Sequence, residues 1–497
     1  MMRKLLLISV LLLAFGLTTY AQWSSPGNGT TYTMDDLVEL SNGCVTWDQT
    51  NIYYIHNDIT ISANDKLLLN KNDKLSYIEF DDNYILTIKG SIEAHGTDEN
   101  SNLVFRMNGH IRIEDTTDPN LFTCCYFYQT NGIQIINSEV VFDTCAFGFC
   151  HIQQQNSVVD FLNCNPVFTN CEFHYNKGAA ISSPANGQGS PQIMDCLFYD
   201  NVTESINVPQ INLGPGAEDT IYMIGNRVIF DASSLAIRRA GGISIADFMG
   251  VGSTKVLMKN NSITGGRYGY NQQGRNISSV IDNNYFHSNS YSDNAMNGGS
   301  GISIYGIDEN NKAKLRNNKI TNNRWGITVI NAADVDLGTM NDWGYNEIHG
   351  NDTSGIINGG VIFDLYNNSN CDIMAIGNDW GTNREHIVEY HIFHQNDNPS
   401  LGLVTFMPFI GYDAINEAET TGFEIYPNPI SNGLFSLILD EETPSEVVIY
   451  NFNGQKVMSQ IIDNKVNNIN VNTLESGIYL VEVKNANKTM VKRIVIE

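Results

Sequence analysis

The chain has few basic residues for its length. Its 497 residues include 28 Lys and Arg but 54 Asp and Glu, which gives a formal net charge of −26. A surface this acidic disfavours nucleic acids and anionic membranes as partners, because both are negatively charged. It also disfavours, less strongly, polyanionic glycans unless cations bridge the protein and the sugar. Neutral glycans are unaffected.

Long apolar runs are also missing, apart from one near the N-terminus. Residues 1–21 combine a basic start at Arg3 and Lys4, an apolar run from Leu5 to Leu17, and Thr-Tyr-Ala before Gln22. This arrangement is typical of a secretory signal peptide. A membrane anchor is the alternative, but the run is shorter than the about 20 residues that span a bilayer. We therefore predict an exported protein.

A repeat of 20 to 35 residues organises the middle of the chain. Each copy has Asn, any residue and a large apolar residue, then a polar turn and a second short strand that often begins with Gly. Copies begin at Asn226, Asn261, Asn284, Asn318 and Asn346, and upstream copies hold cysteine instead, at Cys125, Cys145, Cys171 and Cys196. A period of this length predicts a solenoid.

The short strands alternate apolar and polar residues, as in Gly301-Ile302-Ser303-Ile304 and Gly326-Ile327-Thr328-Val329. Each strand therefore turns one face to a core and the other to water. The leucine ladder of leucine-rich repeats and the Trp-Asp ends of propeller blades are missing. A parallel β-helix is the remaining interpretation, with coils stacked at a strand spacing of about 4.8 Å.

The repeated position predicts a side-chain ladder. An inward Asn in every coil can pass amide hydrogen bonds to the next coil, which satisfies its polar atoms inside an apolar core. The stacked cysteines allow either a column of buried thiols or some disulfide bonds, because the coil spacing falls within the Cα separation of a disulfide. The total of nine cysteines leaves at least one unpaired.

The end of the solenoid carries the most specific resemblance. Asn378-Asp379-Trp380-Gly381 leads into a helical segment from Glu385 and then an extended segment that ends at Pro408. In these three elements the chain resembles secreted right-handed parallel β-helix proteins from about Asn28 to Pro408. The resemblance implies an all-β, pectate-lyase-like fold. We expect residues 22–98 to form an N-terminal cap and the first coils, and residues 99–413 the β-helix.

After a polar linker at residues 414–422, residues 423–497 have the pattern of a small β-sandwich. They closely resemble the C-terminal sorting domain of the type IX secretion system, at Tyr426, Pro427, Asn428, Pro429, Gly433, the Asn453-Gly454 hairpin, Leu474, Gly477, Ile478, Tyr479, Lys492 and Arg493. The resemblance implies the type IX machinery and its sortase as partners, passage across the outer membrane, and release or attachment to surface lipopolysaccharide. An ordinary sandwich that binds a ligand is the alternative.

Motifs of known polysaccharide enzymes with this fold are missing. Asp81-Asp82 lies in the expected cap, Gly109-His110 lacks a second Gly, and the Trp-Ile-Asp-His and Arg-x-Pro-x-x-Arg motifs of pectate lyases do not occur. An unfamiliar site stays open, because Asp334 and Asp336 would lie about 6.5 to 7 Å apart on one strand face. That separation falls between those of retaining and inverting glycosidases.

Three other residues complete this candidate site. Arg239 is a candidate for neutralising a uronate, and Arg324 with Trp325 for binding a sugar ring. Plain surface charge and a packing Trp are the simpler interpretations. We expect no cofactor and no metal site: His386, His391 and His394 lack zinc-ligand spacing, and the Asn/Asp turns hold no complete calcium loop, although they leave calcium open.

Three classes of function remain. The first, which we favour, is a non-catalytic, adhesin-like solenoid that binds glycans or a host or matrix surface outside the cell. The second is a polysaccharide lyase or glycoside hydrolase with an unrecognised site on the solenoid wall. The third is a purely structural surface protein, which a solenoid without exposed aromatic residues on any face would support.

Overall fold

The computed structural model describes residues 22–98, 101–151, 157–204, 207–231, 239–290, 299–351, 363–411, 422–440, 442–451, 454–485 and 489–497. The predicted signal peptide therefore lies outside the described residues. The chain forms two compact units, one ending at Ile410 and one comprising Gly411–Glu497. Among the helices in the described ranges, none has the length and apolar character needed to cross a membrane.

The first unit is a parallel β-helix in which successive strands join sheets A, B and C in turn. Sheet A comprises Trp23–Ser24, Ile59–Ile61, Ile85–Ile88, His110–Glu114, Ile133–Ile136, Ser157–Leu162, Ala179–Ser182, Pro209–Leu213, Gly241–Asp247, Tyr270–Gly274, Ser300–Gly306, Trp325–Asn331, Leu365–Ser369 and Ile392–Phe393. Sheet B comprises Thr31–Tyr32, Lys66–Asn70, Ser91–His95, Asn120–Thr123, Val140–Asp143, Val167–Thr169, Gln192–Met194, Thr220–Ile224, Thr254–Lys259, Ile277–Asp282, Lys312–Arg316, Asp334–Gly338, Ile373–Ala375 and Val404–Thr405. Sheet C comprises Val45–Trp47, Ile52–Ile55, Tyr77–Phe80, Leu103–Arg106, Cys125–Tyr128, Ala146–Gly148, Glu172–His174, Leu197–Tyr199, Arg227–Ile229, Ser262–Thr264, Tyr285–His287, Lys319–Thr321 and Glu347–His349. The predicted all-β solenoid is confirmed.

Alternation along the strands builds the core. In sheet A, for example, Ile111, Ile133 and Val159 lie in register and are all buried. Aromatic rings stack in the same way, and Phe127, Phe147 and Phe173 have centroids 4.8 and 4.4 Å apart in consecutive coils. Each coil thus buries apolar surface against its neighbours, which stabilises the stack without a separate helix layer.

The corner between sheets B and C carries the predicted ladder. The backbone N–H of each Asn donates to the side-chain oxygen of the Asn in the next coil, at 2.9 to 3.1 Å from Asn226 through Asn261, Asn284, Asn318 and Asn346 to Asn378. The cysteine column continues this ladder at its N-terminal end, where Cys196 N donates to Asn226 Oδ1 at 3.0 Å. All nine cysteines are free thiols. The amide ladder is confirmed, and the alternative of buried thiols holds for the column.

A second ladder, which sequence inspection missed, occupies the corner between sheets C and A. Asn289 N donates to Asn323 Oδ1 and Asn323 N to Asn351 Oδ1, both at 3.1 Å. Asn351 Nδ2 then donates to Asp364 Oδ1 at 2.8 Å. Two of the corners between the sheets are therefore held by buried side-chain hydrogen bonds, which keep the coils in register.

Short helices lie near both ends of the solenoid. Met34–Leu40 begins at Thr33, whose hydroxyl accepts from Asp36 N while the Asp36 carboxylate accepts from Thr33 N, a capping box. Glu385–Tyr390 follows the Asn-Asp-Trp-Gly turn and precedes the strand Val404–Thr405. The turn, helix and strand expected before Pro408 are all present.

The second unit consists of two antiparallel sheets around its own apolar core. One contains Phe423–Tyr426, Leu434–Leu439 and Val466–Asn470, and the other, in spatial order, Lys456–Ile462, Ser445–Asn451, Gly477–Lys484 and Thr489–Ile496. The predicted pairing of the last two strands is confirmed, with Val481 opposite Lys492. Asn453 of the expected hairpin lies outside the described residues.

Candidate functional site

The two predicted carboxylates lie on the outer face of sheet B in the strand Asp334–Gly338. Each carboxylate faces a basic side chain on the neighbouring sheet B strand, Lys312–Arg316. Asp334 is 3.0 Å from Lys312 Nζ, and Asp336 is 2.7 Å from Arg316 Nη2. Each ion pair engages one carboxylate oxygen, Oδ2, and both carboxylates remain partly exposed. The arrangement is that of a charged outer sheet surface.

The other candidate residues lie elsewhere. Trp325 begins a sheet A strand and is only 2% exposed, because its ring stacks on Tyr366 at 4.5 Å and meets Phe363 at 5.1 Å. Arg324 is 6% exposed and donates to the Ser290 carbonyl. Arg239 is exposed just before the sheet A strand Gly241–Asp247, three strands away from the Trp325 strand. The structure therefore does not bring these residues together with the acid pair.

Two of the three histidines considered as metal ligands, His391 and His394, have an acidic neighbour. His391 Nδ1 lies 3.0 Å from Asp364 Oδ2, and buried His394 lies 3.0 Å from Glu389 Oε1. Within the described ranges, no group of three or more His, Cys, Asp or Glu side chains has the geometry to hold a metal ion. These histidines connect the last coils to the short helix.

The outer face of sheet C carries a cluster of aromatic side chains, here called the sheet C aromatic cluster. Phe149 and Tyr175 are its most exposed rings, at 42% and 38%. Their centroids are 5.4 Å apart with planes inclined by 25°. The full cluster comprises Tyr126, Tyr128, Phe149, His174, Tyr175 and Tyr199, all linked by ring contacts of 5.3 to 6.0 Å. Exposed apolar rings that lie together are candidates for an interaction surface.

The two most exposed rings stand on left-handed backbone. In many coils the residue that follows the sheet C strand has positive φ. Some of these residues tolerate it, such as Asn322 and Gly350, but Met107 and Gln129 also occupy this position. Phe149 and Tyr175 occupy this turn position with φ of 56° and 53°. Bulky residues adopt this conformation at a cost of about 1 to 2 kcal/mol.

Polar groups border the cluster. Tyr126 Oη lies 3.2 Å from His174 Nε2, and His174 Nδ1 lies 3.2 Å from Glu172 Oε1. Gly148 makes this contact possible, because a Cβ there would collide with both Tyr126 and His174. The interaction with His174 lowers the pKa of Glu172, so the carboxylate is ionised at neutral pH. The cluster thus combines apolar rings with hydrogen-bond acceptors.

The outer face of sheet A carries polar groups at the strands Ser157–Leu162 and Ala179–Ser182. Ser182 Oγ donates to Asp160 Oδ1 at 2.8 Å and lies 2.6 Å from Ser157 Oγ. Burial raises the pKa of Asp160, which favours its protonated form relative to an exposed aspartate. A partly buried carboxyl group with a raised pKa is a candidate for general acid or base chemistry. Asp160 was not recognised from the sequence, because its hydrogen-bond donor Ser182 comes from the next coil.

Comparison with known proteins identifies the second unit. Residues 424–497 match the family described as the secretion system C-terminal sorting domain. Export to the cell surface or the medium through the type IX system, predicted from the same residues, is thereby confirmed. Tyr426 is exposed at the start of this domain, and Asn428 beside it hydrogen-bonds the backbone of Arg493 and Val495.

The solenoid resembles known structures only distantly. No curated protein matches the chain significantly in sequence. Among solved structures, the periplasmic alginate epimerase AlgG is 12% identical with a TM-score of 0.40, covering 76% of this chain and 83% of its own. Pectate lyase Pel9A is 12% identical with a TM-score of 0.23, covering 70% of each chain. ORF18 of Geobacillus virus E2 is 11% identical with a TM-score of 0.26, covering 94% and 76%. These similarities concern the fold alone.

Proposed function

We propose that this protein is an exported, non-catalytic solenoid that binds glycans outside the cell through the sheet C aromatic cluster. The observation that carries the proposal is the exposure of Phe149 and Tyr175 beside the polar groups of Tyr126, His174 and Glu172. Sugar rings have apolar C–H faces and polar hydroxyl edges, so they match a surface of aromatic rings with a few placed acceptors. The net charge of −26 favours neutral glycans over acidic ones.

A panel of neutral and acidic polysaccharides, offered to the exported chain with and without calcium, tests this proposal. Retention and turnover are measured together, the latter by reducing ends and unsaturated products. We expect one neutral glycan to be retained intact, and retention to be lost in Phe149→Ala and Tyr175→Ala. Tyr345→Ala is the matched control, because Tyr345 is also exposed and has a φ of 51° but lies at another corner.

Retention that is unchanged in both cluster variants would contradict the proposal. So would retention of acidic glycans alone. Absence of any retention would favour a structural role. The exposed aromatic cluster argues against that role.

A catalytic function on sheet A is the second candidate, and the raised pKa of Asp160 favours it. A general acid must hold a proton at the pH of the reaction, and a general base must accept one. A carboxyl group whose pKa is raised is better suited to both roles near neutral pH. If the same panel shows chain cleavage, Asp160→Asn should abolish it, whereas Phe149→Ala should only weaken substrate binding. Cleavage that survives Asp160→Asn would exclude this site.

A further inference from the structure

Four rings of the aromatic cluster form a line along the solenoid. They come from four consecutive coils: Tyr128 and Tyr199 are the last residues of their sheet C strands, whereas Phe149 and Tyr175 are the first residues after theirs. Their successive centroids are 5.8, 5.4 and 5.3 Å apart. One ring per coil therefore follows the solenoid axis, at a repeat slightly larger than the strand spacing of about 4.8 Å.

The line has two ends. In register with Tyr128, the preceding strand carries Arg106, which is paired with Glu79 at 2.6 Å. In register with Tyr199, the following strand carries Ile229. The aromatic line therefore spans four coils, with a charged pair at one end and an aliphatic side chain at the other.

We propose that the ligand is an extended, neutral, β-linked glycan that lies parallel to the solenoid axis with about one sugar ring per coil. An extended β-1,4-linked chain advances per ring by nearly the strand spacing of about 4.8 Å. Successive sugars can therefore meet successive aromatic rings. Phe149 and Tyr175, whose planes are inclined by 25°, offer stacked faces, and the planes of Tyr128 and Tyr199 are inclined to their neighbours by 69° and 87°. An α-1,4-linked chain coils and loses this match after a few sugars.

Polar groups flank the line where the hydroxyl edges of such a ribbon would lie. Tyr199 Oη donates to Asp231 Oδ2 at 3.3 Å on one coil, and the Tyr126, His174 and Glu172 contacts lie on the coils before it. Carboxylate oxygens accept hydrogen bonds from sugar hydroxyls without needing a charged ligand. This inference rests on the proposed function, because it names the glycan for the same site.

Titration calorimetry of the exported chain with cello-oligosaccharides and malto-oligosaccharides of two to six sugars tests the inference. We expect the affinity for cello-oligosaccharides to rise up to four sugars and then stay constant. Malto-oligosaccharides of four or more sugars should bind at least about tenfold more weakly, a difference of about 1.4 kcal/mol. Tyr199→Ala should move the plateau from four sugars to three, and Tyr345→Ala should leave it unchanged.

The outcomes separate this inference from the proposed function. Equal affinity for the two series, or a plateau that Tyr199→Ala does not move, would overturn the inference while cluster-dependent binding continued to support glycan recognition. Binding of a different neutral glycan but not of cello-oligosaccharides would overturn the inference too. Absence of binding to every glycan would overturn both.

Discussion

The strained turn at Phe149 leads to an unusual prediction about two truncations that remove the same ring. Phe149→Ala keeps a Cβ at a φ of 56°, whereas Phe149→Gly removes it. Left-handed backbone costs a residue with a Cβ about 1 to 2 kcal/mol. Glycine loses about 0.5 to 1 kcal/mol relative to alanine through its greater freedom in the unfolded chain. We therefore expect the Gly variant to be more stable than the Ala variant by roughly 0.5 to 1 kcal/mol.

Tyr128, in the strand Cys125–Tyr128, is the matched control because it lies in the same cluster on ordinary strand backbone. There the order should reverse, and Tyr128→Gly should be less stable than Tyr128→Ala by about 0.5 to 1 kcal/mol. Urea unfolding followed by tryptophan fluorescence measures the solenoid selectively, since all five Trp residues precede residue 411. Both Phe149 variants should lose glycan binding equally. An Ala variant as stable as the Gly variant would refute the strain argument.

Three further predictions concern the ladder, the thiols and the outer ion pairs. Asn318→Ala should destabilise the solenoid by about 3 kcal/mol, because it leaves buried amide groups unpaired. Asn318→Cys should destabilise it less, because upstream coils have cysteine in this position. Equal urea midpoints for the two variants would contradict this prediction. Burial raises the pKa of Cys171 well above its usual value, so native protein at pH 8 should resist alkylation there until unfolded, as mass spectrometry would reveal. The Arg316 guanidinium lowers the pKa of Asp342 from 3.8 to about 2, so its stabilising contribution is present above pH 4 and is lost as the pH falls towards 2. Asp342→Asn should therefore destabilise the protein at pH 7 and have a much smaller effect at pH 2, where the carboxyl of the folded protein is partly protonated. A pH-independent effect on the urea midpoint would refute the ion-pair explanation.

The solenoid was predictable because its core depends on local patterns. Period-two alternation sends residues such as Ile302 and Ile304 inward whatever the turns between coils contain. A buried Asn must be satisfied, so its recurrence at Asn284 and Asn318 already implies the ladder. The second ladder was missed because its members are unevenly spaced in the sequence, and because in earlier coils Cys150 and Gln210 bond to Asn176 and Asn201 in place of a further Asn.

The aromatic cluster was not predictable in the same way. Its residues are separated by at least twenty positions from coil to coil, and their contact depends on the register of sheet C. Trp325 illustrates the reverse problem: in the sequence it is a conspicuous ring beside Arg324, yet Tyr366 and Phe363 cover it in the fold. Exposure depends on which face of the coil a residue occupies and on what packs over it. Neither is visible in a single repeat.

The most direct test of the account is calorimetric titration of the retained neutral glycan into the exported chain and into the double variant Phe149→Ala/Tyr175→Ala, with the glycan's length measured afterwards. Our account predicts saturable binding to the unaltered chain, at least about tenfold weaker binding to the double variant, and a glycan of unchanged length in both samples. Equal binding by the two proteins, or a shortened glycan, would contradict it.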